Sequence, residues 1–82
     1  MFQIQPFKFM NFRHFLLGFD CDIVIHLIDN RTESTIWQGS YQDFKSSPHK
    51  DLLNYSMKHF CDWSVKTDND YKRVFVVVRI DY

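Results

Sequence analysis

Glycine, proline and cysteine are all scarce in this chain of 82 residues, which has two of each. Disordered, collagen-like and loop-rich chains are richer in glycine and proline, so the composition predicts a globular fold. The two glycines, Gly18 and Gly39, lie far apart in the chain, and no glycine-rich phosphate-binding loop can be built from them. Two cysteines are also too few for the disulfide framework that usually supports a small secreted domain.

An excess of charge of one sign is also missing, since lysine plus arginine equals aspartate plus glutamate at ten each. No overall field therefore draws the chain towards nucleic acid or an anionic membrane. Near the N-terminus, Gln3, Lys8 and Arg13 interrupt the apolar residues, which leaves no continuous signal-peptide core. No stretch approaches the roughly 20 apolar residues of a membrane span. We therefore expect a cytoplasmic protein in which Cys21 and Cys61 are reduced thiols.

Aromatic residues, in contrast, are abundant: nine Phe, four Tyr and two Trp. A chain of this length is near the size at which one apolar core is only just sufficient for stability. Each buried aromatic side chain removes roughly 150–250 Å² from water. The aromatic content therefore makes a single packed core feasible.

Two segments have the pattern of β-strands. Residues 73–81, the last strand, are dominated by β-branched residues, and residues 22–29 alternate apolar side chains on both faces. In the last strand, Phe75 and Val77 lie on the face opposite to the other apolar residues. We therefore predict that this strand is buried on both faces over its first half.

Two further strands are predicted with less regular patterns. A polar turn at 29–34 and a strand at 35–41 would complete a hairpin with the preceding strand. Within it, Gly39 indicates either a bulge or a place where another side chain lies across the strand. Residues 61–66 alternate, which predicts a strand paired with the last strand in a terminal hairpin. The alternative is that the preceding helix continues to about Val65.

The first 19 residues contain six of the nine Phe. Residues 2–9 alternate around Pro6, which predicts an extended segment with a bend, and the proline favours an edge position. From Phe12 to Phe19 the spacing predicts one or two helical turns that end at Gly18. The pattern leaves open whether these rings belong to the core or form an exposed patch for a partner.

The longest predicted helix begins after Ser46 or Ser47, either of which is a suitable N-cap, with Pro48 at the first helical position. An apolar stripe at helical spacing then continues to Phe60. The predicted fold is a single α+β domain spanning residues 1–82. It has a mostly antiparallel sheet of four to five strands, with one amphipathic helix packed on one face.

Residues with metal-binding or catalytic chemistry are present but poorly spaced. His59 and Cys61, with Cys21, come nearest to a metal site, yet the short chelating pairs of structural zinc sites are missing. Cys61 lies between His59 and Asp62 in sequence, but neighbours along a chain tend to point apart and nothing supplies an oxyanion hole, so these residues do not suggest a cysteine nucleophile with its base. We therefore expect no metal, no cofactor and no enzymatic activity.

Protein binding is the function that the sequence favours, because Tyr and Trp are common anchors of interfaces and this chain has six of them. The exposed edge of a short sheet adds a second docking surface, for a partner strand or for a second copy in a homodimer. The predicted partner contacts are Trp37, Tyr41 and Phe44, followed by Tyr55 and Tyr71.

A small nucleic-acid-binding domain is the alternative function. Basic residues interleaved with aromatic ones can combine phosphate contacts with base stacking. Net neutrality argues against a large electrostatic contribution to such binding. The basic residues concerned are Lys8, Arg13, Lys45, Lys50, Lys58, Lys66, Lys72 and Arg73.

The order of three short segments and the closing valine strand resembles that of small orphan proteins of Gram-positive phages and mobile elements. The segments are Ile28-Asp29-Asn30, the stretch from Ile36 to Phe44, and Trp63-Ser64-Val65. Anti-CRISPR and other anti-defence inhibitors are the best-described members of that group, and the likeness covers about residues 22–81. It implies a stoichiometric inhibitor that binds a host nuclease complex. Many such inhibitors are acidic DNA mimics, and this neutral chain departs from that pattern.

Overall fold

The computed structural model describes residues 10–70 and 72–81. The extended segment predicted at 2–9 and the predicted partner contact Tyr71 lie outside these described residues. The described part has the expected α+β character, with four strands in one sheet. The strands are β1 (Asp22–Asp29), β2 (Thr35–Ser40), β3 (Asp62–Thr67) and β4 (Arg73–Ile80).

The helices of the described residues are short. They are α1 (Phe12–Leu17), α2 (Tyr41–Phe44) and two 3₁₀ helices, Lys50–Asn54 and Met57–His59. Asn11 is the N-cap of α1, and its Oδ1 accepts a hydrogen bond from the backbone N–H of His14 at 2.9 Å. Gly18 is the C-cap, so the helix ends there as predicted. None of the helices formed by the described residues has the length and hydrophobicity needed to span a bilayer.

The sheet has the order β2-β1-β4-β3. Each outer strand is antiparallel to its neighbour, so both predicted hairpins are confirmed, including the strand at 61–66. The two central strands, β1 and β4, are parallel. This pairing arises because residues 41–61 carry the chain across one face of the sheet, from the end of β2 to the start of β3. The sheet is therefore mixed, with antiparallel pairing at both sides.

The core lies on the face of the sheet that this crossing segment covers. Ile25 pairs with Val76 and Leu27 with Val78, and all four side chains are fully buried. Phe12 packs against them from α1, with its ring centroid 6.0 Å from that of Phe44 and 5.0 Å from that of Phe60. These aromatic contacts fix α1 and the crossing segment to one side of the sheet.

The prediction that β4 is buried on both faces is wrong. Val74, Val76, Val78 and Ile80 are buried, but Phe75 is 36% exposed. Val77 is only half-buried. The cause is the placement of the helices, because α1 and the crossing segment pack on the same face. The continuous apolar sequence of β4 therefore does not mean that elements pack on both faces of the sheet.

A continuous helix from Pro48 to Phe60 is also not formed. The chain is extended at Tyr55 and Ser56, between the two 3₁₀ helices. Backbone hydrogen bonds to the segment before α1 hold it in this conformation: Phe12 N–H donates to the Tyr55 carbonyl at 2.9 Å, and Met57 N–H donates to the Met10 carbonyl at 2.9 Å. This pairing replaces the helical bonds that these groups would otherwise make.

Candidate protein-binding surfaces

The face of the sheet opposite the core forms the first candidate surface, which we call the open face. Phe75 lies in the middle of β4 with Val24 of β1 as its register partner, and His26 is the partner of Val77. His26 Nε2 is hydrogen-bonded to Thr35 Oγ1 of β2 at 2.8 Å. The open face consists of Val24, His26, Phe75, Val77 and Arg79, with Ile28 on the same side of β1 but buried.

Charged residues surround this apolar centre in balanced numbers. Arg79 forms an ion pair with Glu33 at 2.9 Å, and its register partner on β3 is Asp62. At the other end of the central strands, Arg73 is the register partner of Asp22. Exposed pairs of this kind contribute little to stability, at most about 1 kcal/mol each. Their effect is to leave the rim of the open face without an excess of either charge.

The outer edge of β3, which pairs with no other strand of the described residues, forms the second candidate surface. All residues of this strand are exposed except Trp63, which is half-buried. A groove of about 490 Å³ runs between the strand and the end of α1. Its wall contains the stacked rings of Phe15 and Trp63, with centroids 6.1 Å apart. The groove is lined by Phe15, Gly18, Phe19, Trp63, Ser64 and Val65.

Histidine and cysteine do not gather at either surface. Within residues 10–70 and 72–81, no group of three or more His, Cys, Asp or Glu side chains is placed to hold a metal ion. Cys21 is half-buried, Cys61 is exposed, and both are free thiols. Comparison with protein-family models, with curated proteins and with solved structures gives no match.

The predicted partner contacts lie in different environments in the structure. Phe44 is fully buried in the core, so we no longer place it at a partner surface. Trp37 is half-buried and packs edge-to-face on Phe44, with ring centroids 5.1 Å apart. Tyr55 is 43% exposed, and its ring lies beside that of His59 with centroids 5.4 Å apart. These rings do not form one continuous surface.

Tyr41 is the predicted contact that the fold brings next to the open face. It is half-buried at the start of α2, with Lys45 Nζ 5.1 Å from its ring centroid. Its side chain borders a depression of about 390 Å³ that Val24 and Arg73 also line. Tyr41 lies near Val24 because the preceding Ser40 is the register partner of Val24 in the β1–β2 hairpin. The parallel pairing of β1 with β4 then brings Arg73 to the same depression.

The sequence analysis did not identify Phe75 as a surface residue, because it predicted that β4 is buried on both faces over its first half. A signal was available in the alternation of the last strand. Phe75 and Val77 share their face with Arg79 and Asp81, and two charged residues at the end of that face indicate contact with water. The structure follows this signal, since Phe75 and Val77 are only partly covered.

Proposed function

We propose that this chain is a small non-enzymatic protein-binding module that contacts its partner through the open face. The observation that carries the proposal is the position of Phe75, a large aromatic side chain 36% exposed in the middle of a central strand. Apolar side chains at the centre with charged residues at the rim are typical of protein interfaces. Aromatic anchors near the centre supply most of the binding energy in such interfaces.

The charges on the open face support a protein partner over nucleic acid. Nucleic-acid binding draws much of its affinity from contacts between Lys or Arg and phosphates. On this face Arg79 is paired with Glu33, and Arg73 lies opposite Asp22. Because both of these arginines have acidic neighbours, a polyanion would gain little attraction from them. The nucleic-acid alternative therefore stays second.

The resemblance to phage and mobile-element proteins suggests the nature of the partner. We propose a host defence or nuclease complex as the target, with the module acting as a stoichiometric inhibitor in the cytoplasm. The chain has no net charge. Binding would therefore depend on shape and on aromatic contacts such as Phe75 and Tyr41, and not on mimicry of DNA charge.

The test is a pull-down with tagged protein from a Gram-positive bacterial lysate, with and without nuclease treatment. The variant Phe75→Thr removes the aromatic ring and keeps a residue that favours strands. The matched control is Leu17→Ala, which removes apolar surface from another residue that is 60% exposed. Circular dichroism verifies that both variants fold.

We expect the wild type and the Leu17→Ala variant to retain the same protein in near-equal molar amount after nuclease treatment. We expect the Phe75→Thr variant to lose it. Equal retention by Phe75→Thr would refute the open face as the binding surface. Retention of nucleic acid, with affinity that falls steeply as salt is added, would favour the alternative function.

A further inference from the structure

Charge is distributed unevenly between the two layers of the fold. The layer that covers the core consists of α1 with its flanking residues, 11–19, and the crossing segment, 41–61. These two stretches contain four of the ten lysines and arginines, two of the ten acids and three of the four histidines. The rest of the chain therefore has the excess of acids. A chain without net charge can in this way present a basic surface on one side.

Three of these four cations line one depression. It has a volume of about 370 Å³ and lies between α1 and the crossing segment. Arg13 comes from α1, Lys45 follows α2, and Lys50 begins the first 3₁₀ helix. The fold thus brings together three basic residues from separate parts of the sequence. The rest of the lining is Asp51, Leu53 and Asn54, so one carboxylate faces three cations.

The contacts of these cations are with neutral groups. Arg13 Nη1 donates a hydrogen bond to Asn54 Oδ1 at 2.8 Å. Lys45 Nζ lies 5.1 Å from the centroid of the Tyr41 ring. Both contacts hold a cation in place without neutralising its charge. Among the residues that the structure describes, none of the three cations of the depression forms an ion pair. The depression therefore keeps an excess of positive charge, in contrast to the rim of the open face.

We infer that this depression binds the phosphate groups of a single-stranded nucleic acid. Lysine and arginine are the residues that contact phosphates, and a cluster of them on one surface supplies the electrostatic attraction. Asn54 adds a donor, because its Oδ1 accepts from Arg13 and its NH2 group is the part left for an anion. The depression therefore offers donors and positive charge at one place.

An aromatic side chain next to the depression favours a nucleic acid over an acidic peptide. Tyr55 directly follows Asn54 in the chain and is 43% exposed. Basic grooves with neighbouring aromatic rings bind single strands, because bases stack on the rings while the cations contact the backbone. Phosphates and base faces are common to all sequences, so we expect binding without a strong sequence preference.

This surface is separate from the proposed protein-binding surface. The depression belongs to the layer on the core side of the sheet, and Phe75 lies on the opposite side. A protein at the open face and a nucleic-acid strand at the depression could therefore be bound together. The inference does not rest on the proposed function, and either one can fail without the other.

The test is fluorescence anisotropy of a labelled thymidine strand of about ten nucleotides, within the usual site size of such surfaces, titrated with the full chain. For single strands the logarithm of the affinity falls with the logarithm of the salt concentration by about 0.7 per phosphate contact. Three contacts therefore predict a slope of about −2. We expect Lys45→Gln and Lys50→Gln each to reduce it to about −1.4 and to raise the dissociation constant roughly 5-fold at about 0.1 M salt. Asp51→Asn should tighten binding, because it removes the carboxylate of the lining.

The matched control is Lys66→Gln, which removes an exposed cation on the side of the open face, where Phe75 is its register partner. We expect this variant and Phe75→Thr to bind the strand like the wild type. Circular dichroism verifies that all variants fold. A wild type that does not bind at low salt would overturn the inference, as would equal weakening by Lys66→Gln. Competition by polyglutamate of equal charge, as effective as by unlabelled strand, would assign the depression to acidic peptides and would also overturn it.

Discussion

The indole ring of Trp37 lies across Gly39, two residues further along β2 on the same face. A Cβ atom at Gly39 would stand 2.8 Å from the nearest ring carbon, closer than van der Waals contact allows. The ring cannot easily move away, because it packs edge-to-face on the buried Phe44. The extra residue of β2 is instead Ile36, where the register with β1 shifts. Gly39 is therefore required by the neighbouring side chain.

The variant Gly39→Ala is expected to destabilise the fold. Forcing a methyl group into a packed contact costs typically about 1–3 kcal/mol. The measurement is the free energy of unfolding in urea. The matched control is Gly18→Ala, where a Cβ would meet only the Phe15 carbonyl at 3.4 Å and the backbone has ordinary helical angles. Equal stability of the two variants would show that the Trp37 ring can move to make room for the methyl group.

The two rings Phe44 and Tyr55 were predicted as partner contacts and now lie in different environments. Phe44→Ala should lower the free energy of unfolding by about 3–5 kcal/mol, because it opens a cavity in the core. Tyr55→Ala should change it by less than about 1 kcal/mol, since this ring is 43% exposed. Urea denaturation of both variants tests the assignment. A mild effect of Phe44→Ala would return that residue to the candidate surface.

The hydroxyl of Ser47 is buried and makes two hydrogen bonds. It donates to the Phe44 carbonyl at 2.8 Å and accepts from the His49 N–H at 3.1 Å. Removing it in Ser47→Ala deletes both bonds, each of which contributes about 0.5–1.5 kcal/mol, so we expect a loss of about 1–3 kcal/mol in total. Ser46→Ala is the matched control at the preceding, exposed position, and should cost less than about 0.5 kcal/mol. Thermal unfolding compares the two variants directly, and equal transition temperatures would contradict the role assigned to the Ser47 hydroxyl.

Burial on only one face of β4 can be tested with one substitution at two neighbouring positions. Val76 is fully buried on the core face, and Val77 is half-buried on the open face. Val76→Thr places a hydroxyl in an apolar interior and should cost about 1–3 kcal/mol. Val77→Thr leaves the hydroxyl in reach of water and should cost less than about 0.5 kcal/mol. A comparable loss of stability in both variants would indicate that the open face is covered in solution.

The sequence by itself determined the strands and their hairpins, because these depend on local information. β-Branched residues and alternation located β1 and β4, and the polar turn between β1 and β2 limited how those strands could pair. The end of α1 at Gly18 was also readable. In each case the signal is carried by residues within a few positions of one another, where backbone preferences act directly.

The tertiary structure alone decided which surfaces these elements present. The β1–β2 hairpin places Tyr41 near Val24, but Arg73 joins them only through the parallel pairing of β1 with β4, which no local pattern records. Backbone bonds from the segment before α1 interrupt the helix expected after Pro48. The covering of one face by α1 and the crossing segment buries Phe44 and exposes Phe75. These outcomes depend on contacts between residues distant in sequence, and packing energy outweighs local propensity there.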